Sequence, residues 1–232
     1  MMLVVTLHMN MRNDALGPKL GIVRESDGQA ALESLDITRL VTMLKQLTRS
    51  APTNSEDFLF AHHYLAELTA ESDPWKAAIS AKKLIDFDPY DDSGWALYAH
   101  ALSNLAHYRA AAKAYRRAVS LAPNNPWYAH NLGHLLDAVL GRPEEGLPFL
   151  ESAHRMKPQE IDIALSYARA LGNVGRFDEA RAILHSSATD SWADREQQAL
   201  LAWFDLAGPG ESPDYRVQRR EQKRRPADAP PR

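Results

Sequence analysis

Residues 92–125 read DSGWALYAHALSNLAHYRAAAKAYRRAVSLAPNN. Trp95, Tyr98, Ala99 and Leu102 fall at i, i+3, i+4 and i+7, the spacing of one apolar stripe on a helix. That spacing predicts a first helix from about Ser93 to Leu105, with Asp92 or Ser93 as the cap whose side chain accepts the orphan N–H groups of the first turn. A turn at Ala106-His107 follows. Ala111, Tyr115, Ala118 and Val119 then repeat the spacing on a second helix from Tyr108 to about Ala122. Pro123 cannot continue it, and Asn125-Pro126 supplies a cap and a first-turn proline for the next helix.

The unit recurs on both sides. The closing prolines Pro89, Pro123 and Pro158 stand 34 and 35 residues apart, and the small residues Ala77, Ala111, Gly146 and Ala180 keep step with them. A fixed period of this length marks stacked helix pairs, each burying its apolar face on its neighbours. Upstream, Ile37, Leu40, Val41, Leu44 and Leu47 predict a leading helix over Asp36–Arg49. Before it, Gly17-Pro18, Gly21 and Asp27-Gly28 predict an irregular segment. Downstream, Leu200, Leu201, Trp203, Phe204 and Leu206 predict a lone capping helix over Ala193–Ala207, ended by Gly208-Pro209-Gly210.

These residues resemble the tetratricopeptide repeat. The family pattern is met by Trp95, Ala99, Tyr108, Ala111, Tyr115, Ala118 and Pro123, and in the next unit by Leu132-Gly133, Gly141, Gly146, Leu150, Ala153 and Pro158. Tyr167, Ala168, Leu171, Gly175 to Ala180 and Leu184 match in a third. Tyr64, Leu68, Ala77, Leu84 and Pro89 match in a weaker, earlier one. The resemblance implies an all-α, right-handed superhelical array of antiparallel helix pairs with a C-terminal capping helix. The expected organisation is an irregular extension over 1–35, a leading helix and linker over 36–54, and a repeat domain over 55–207. Its units fall at about 58–91, 92–125, 126–160 and 161–192, with the cap at 193–207 and a disordered basic tail over 208–232. Four departures stand out: Leu65 where a small residue is expected, one residue inserted between Gly133 and Gly141, Pro148 inside a second helix, and Trp192 in place of a closing proline.

Composition narrows the function. The formal charge is −3, but residues 211–232 carry seven Lys/Arg against four Asp/Glu, which leaves the first 210 residues at −6. There is no cysteine, so thiol catalysis, Cys-ligated zinc and disulfides are excluded. The apolar run Leu3-Val4-Val5-Thr6-Leu7 is too short for a signal core or a membrane span, and a cytoplasmic protein is expected. No Gly-x-Ser-x-Gly turn, P-loop or dinucleotide fingerprint is present, so no enzymatic activity is expected.

In the family the first helix of each unit lines a concave groove that holds ligands. Position by position, the resemblance puts His62, His100, Asn104, Trp127, His130, Asn131, His134, Asp137, Arg169 and Asn173 on or near that surface. His130, His134 and Asp137 share one helical face, which suits metal ligands in principle. The plainer reading is a polar groove, because Asn131 stands where the zinc-protease pattern needs Glu. The Lys/Asn/Arg set with which some members hold a terminal carboxylate is missing: only Asn131 is in place, and Ala96, His100, Asp162 and Ser166 occupy the other slots. The expected function is a protein-interaction scaffold or adaptor that binds a peptide or protein in the groove. No cofactor, metal ion or small-molecule substrate is expected. A dedicated chaperone of a secreted or membrane-inserting client is the second reading, and a nucleic-acid- or membrane-associated factor acting through the basic tail is the third. His134 and Arg169 are read as solvent-facing contacts whose removal leaves stability unchanged. His100, His130 and His134 are expected to gather positive charge in the groove on acidification.

Overall fold

The structure, a computed structural model, describes residues 37–186 and 193–206. The irregular extension and the basic tail expected from the sequence lie outside the described residues, as does Trp192. Among the described residues all regular structure is helical. A leading helix α1 (Ile37–Ser50) precedes the pairs α2 (Glu56–Thr69) with α3 (Pro74–Phe87) and α4 (Asp92–Asn104) with α5 (Tyr108–Leu121). Next come α6 (Pro126–His134) with α7 (Pro143–Met156), and α8 (Ile161–Asn173) with α9 (Phe177–Ser186). Helix α10 (Ala193–Leu206) closes the stack. None of these helices is long and apolar enough to cross a membrane.

Local chemistry sets the boundaries. Ser55 caps α2 by accepting from the Phe58 N–H, Asp73 caps α3 from Lys76, and Asn125 caps α6 from Trp127, with Pro74 and Pro126 in the first turns. Helix α4 departs from the expected cap. Asp91 is its N-cap and makes no side-chain bond to the backbone, because its carboxylate is occupied by the Ser93 hydroxyl at 2.6 Å. Asp92 turns instead to the next unit. Three of the turns between paired helices place a residue in the left-handed region, Ala106, Gly141 and Gly175. The following N–H groups reach back to close the preceding helix, His107 to the Leu102 carbonyl and Arg176 to that of Leu171, both at 2.9 Å.

The inserted residue before Gly141 is absorbed in the helix rather than in the turn. Helix α6 runs on as a π-helical turn, Leu135–Val139, in which the Leu140 N–H bonds the Leu135 carbonyl and Arg142 reaches Leu136. Such a bulge takes up one residue without breaking the rod. Helix α7 continues through Pro148.

The core lies between units. Ala99, Leu102, Ala111 and Tyr115 pack with Leu132, Leu135 and Leu136 of the following pair, and Leu150, Leu165, Leu171, Phe177 and Leu184 pack with Leu200 and Phe204 of α10. In the first unit the sizes are exchanged. Ala61 stands where the next unit has Trp95, and Leu65 where it has Ala99, and both pack on Leu40 and Leu44 of α1. Leu65 is therefore accommodated by the leading helix. Helices α6 and α7 approach closely: a Cβ on Gly133 would stand 2.6 Å from Leu150 and 2.9 Å from the Gly146 carbonyl. Gly133→Ala is expected to cost about 1–3 kcal/mol as an overpacked junction, although Ala is the better helix former. A urea midpoint equal to or above that of the parent would contradict this.

Candidate partner-binding groove

The repeat period brings polar side chains of successive first helices into register. The Asn104 amide donates to the Ala70 carbonyl at 2.8 Å, and the Tyr128 hydroxyl to the Asp92 carboxylate at 2.9 Å. His130 Nε2 and Ser166 Oγ share a bond of 3.0 Å, Arg169 Nη2 donates to His134 Nδ1 at 2.7 Å, and Asn173 Nδ2 to Asp137 Oδ1 at 2.7 Å. These partners are 34 to 36 residues apart, one repeat each. The rungs join α2 to α4, α4 to α6, and α6 to α8.

Five of the expected site residues meet in one cluster. His130, His134 and Asp137 on α6 and its π-turn face Arg169 and Asn173 on α8. Ser166 lies within 3.0 Å of His130 and 3.4 Å of His134. Arg169 Nε stands 3.5 Å from Asp137, and its Nη1 lies 3.6 Å from Glu196 of the capping helix. Because Arg169 only donates, His134 accepts at Nδ1 as a neutral ring. His100 and Asn104 form a separate rung, 3.5 Å apart. His62 stands apart again, edge-on to Phe58. Trp127 lies edge-on to His130 and under the Lys157 ammonium, 5.3 Å from the ring centre. Among the described residues no group of three or more His, Asp or Glu could hold a metal ion.

Burial corrects two expectations. His100, Asn131, His130, Asp137 and Arg169 are all buried, whereas His62, Trp127, His134 and Asn173 are half-buried and Asn104 is exposed. Arg169 is therefore not a solvent-facing contact that can be removed freely, because it neutralises a carboxylate with 3 % exposure. His100 and His130 do not gather charge on mild acidification either. Burial lowers the pKa of His62, His63, His100 and His154, and burial followed by the Arg169 charge lowers that of His130 to about 4. Burial raises the Asp137 pKa, against the opposing pull of Arg169 and Asn173.

The pH dependence of stability follows. These histidines are neutral in the fold and take up protons more readily once unfolded, so stability falls as pH drops from about 6.5 towards 4. His130 alone contributes a loss on the order of 2 kcal/mol between pH 7 and 5. Asp137, whose pKa burial raises, opposes this as it takes up its proton in the fold. Urea midpoints should fall between pH 7 and 5 and fall less in His130→Gln, which keeps hydrogen-bonding capacity without titrating. Equal midpoints at the two pH values would refute this.

Several partners give little signal in the sequence. Ser166 stands out there only as a departure from the carboxylate-holding set, yet it lies one period beyond His130. Asp92 and Tyr128 pair at the same spacing. Glu196 gives none, because it belongs to no repeat.

The comparisons bear on the fold. Tetratricopeptide-repeat family models match residues 92–135 and 140–204. A search of curated proteins finds no match. Among solved structures, MamA superimposes with a TM-score of 0.58 at 19 % identity, covering 77 % of this chain and 98 % of that one. A thermophilic TPR protein of Thermus thermophilus gives 0.58 at 17 % identity, over 82 % of this chain and 99 % of that one. YrrB, described as a TPR protein with an unusual peptide-binding site, gives 0.56 at 14 % identity, over 78 % and 97 %.

Proposed function

We propose, from the premise that this chain is a tetratricopeptide-repeat protein, that it is an interaction scaffold binding a peptide or protein segment along its first helices. The observation that carries the reading is the set of rungs between α2, α4, α6 and α8, which fixes the polar side chains of that face before any ligand arrives. A preorganised surface loses little side-chain freedom on binding. The half-buried Trp127 and His134 are the contact residues in this reading, and buried His130, Asp137 and Arg169 form the floor that orients them. Trp127 offers an aromatic face of the kind that anchors interfaces. The Ser166–His130 pair is a structural rung, because its hydroxyl is buried between two helices.

Peptides selected from a random display library against the whole protein provide the probe. Trp127→Ala with His134→Ala is expected to weaken a selected peptide at least tenfold, or about 1.4 kcal/mol, while the fold stays intact by circular dichroism. Retained affinity in the folded double variant would place the ligand elsewhere.

A further inference from the structure

Charge is segregated between the two kinds of helix in the first two units, and the pattern ends there: α7 and α9 carry Glu144, Glu145, Glu151, Asp178 and Glu179 against Arg155 and Arg181, and α8 carries Arg169. Helices α2, α4 and α6 carry Glu56, Asp57, Glu67 and Asp92 and no Lys or Arg. Helices α3 and α5 carry Lys76, Lys82, Lys83, Arg109, Lys113, Arg116 and Arg117 against the single acid Asp86. This basic surface runs against the net charge of −3. Lys76, Lys82 and Arg116 pair with Asp73, Asp86 and Glu145. Among the described residues Lys83, Arg109, Lys113 and Arg117 have no carboxylate partner.

The same region exposes large apolar groups. Trp75 is 61 % exposed, Tyr90 73 %, and Ile79 and Phe87 about half. The inward side of α3 is already used by Ala77, Ala81, Leu84 and Ile85, so these four groups are surplus to the core. The turn that carries Tyr90 is held in place. Its N–H bonds Asp88, the Trp95 indole donates to the Pro89 carbonyl, and Arg117 of α5 sits over its ring.

We propose that the outer face formed by α3, the turn at Tyr90 and α5 docks on a lipid bilayer carrying anionic headgroups. Charge complementarity selects the occupant. Aromatic and aliphatic groups set among lysines suit the bilayer interface, where the rings enter the headgroup layer and lysine stems lie along apolar surface with their ammonium groups outward. Lysine is depleted at protein interfaces. Trp75, Phe87 and Tyr90 would stack on bases as well as enter lipid, so single-stranded nucleic acid is the competing occupant that the test separates. The apolar groups supply penetration and the unpaired cations supply attraction. The groove of the first helices is left open to its own ligand.

Flotation of the full-length protein with vesicles tests this, using phosphatidylcholine alone and phosphatidylcholine mixed with phosphatidylglycerol. Binding is expected only to the anionic vesicles and should weaken as salt rises. Lys83→Glu with Lys113→Glu is expected to reduce it at least about tenfold, and Trp75→Ala with Phe87→Ala to reduce it severalfold, both variants remaining folded by circular dichroism. Brominated lipid should quench an emission component that disappears in Trp75→Phe. Equal binding to neutral vesicles, or full binding by both variants, would overturn the proposal. So would loss of binding through Arg219→Glu with Arg224→Glu in place of the helix variants, which would assign the contact to the tail. Failure to bind either vesicle, with duplex DNA or single-stranded RNA retained through Lys83 and Lys113, would make the face a nucleic-acid surface.

Discussion

A chain ending at Ser187 is expected to melt far below one ending at Ala207, while the latter melts with the full-length protein. The shorter chain loses α10, whose Phe204 and Leu200 are buried and whose Leu201 and Trp203 pack beside them. Burying each large side chain contributes roughly 1.5–3 kcal/mol, so Leu200 and Phe204 together account for about 3–6 kcal/mol. The loss does not stop there. Leu171, Phe177 and Leu184 lose their cover, and Arg181 and the Leu184 carbonyl lose the bonds that tie α9 to Phe204 and Gln197 of α10. Stability on this scale is a large part of what a domain has. Phe204→Ala in the full chain should reproduce much of the effect, at about 3–5 kcal/mol. Thermal melts decide the matter, and equal melting temperatures for the chains ending at 187 and 207 would show that the last pair is stable without its cover.

That cap was legible because its apolar residues recur at helical spacing, as were the paired helices and the small residues at their junctions. Periodicity reports which face of a helix is apolar, and Gly133 and Gly146 announced close packing by their size alone. What periodicity cannot report is how far a polar residue at the edge of that face sinks between neighbours. His130 and Arg169 sit where the family pattern suggests a ligand surface, yet His130 is covered by the next first helix and Arg169 is met by Glu196 of α10. The insertion before Gly141 was countable, but its resolution as a π-turn was not, and that turn carries Asp137. That carboxylate is held by Asn173 and Arg169 from the following unit. Period alone would have found the rungs, had polar residues been aligned at one-repeat offsets as carefully as apolar ones.

Arg169→Ala is expected to cost about 3–5 kcal/mol at neutral pH, because it leaves Asp137 buried and charged with Asn173 as its remaining side-chain donor. An exposed arginine would cost less than about 0.5 kcal/mol, so the measurement separates the two placements cleanly. Removing the carboxylate as well should recover part of the loss, and Asp137→Asn with Arg169→Ala is therefore expected to be more stable than Arg169→Ala alone. The pH dependence gives an independent check. The Asp137 pKa is already raised by burial, and without Arg169 it rises further, so the variant takes up that proton at a higher pH than the parent. The Arg169 charge also holds His130 down, and its loss lets His130 protonate more easily in the fold. Both shifts favour the folded variant in acid. Its deficit relative to the parent should therefore shrink as pH falls from 7 towards 5, even while both proteins lose stability. A deficit that is small at pH 7, or constant across that range, would show that Arg169 and Asp137 do not share a buried contact.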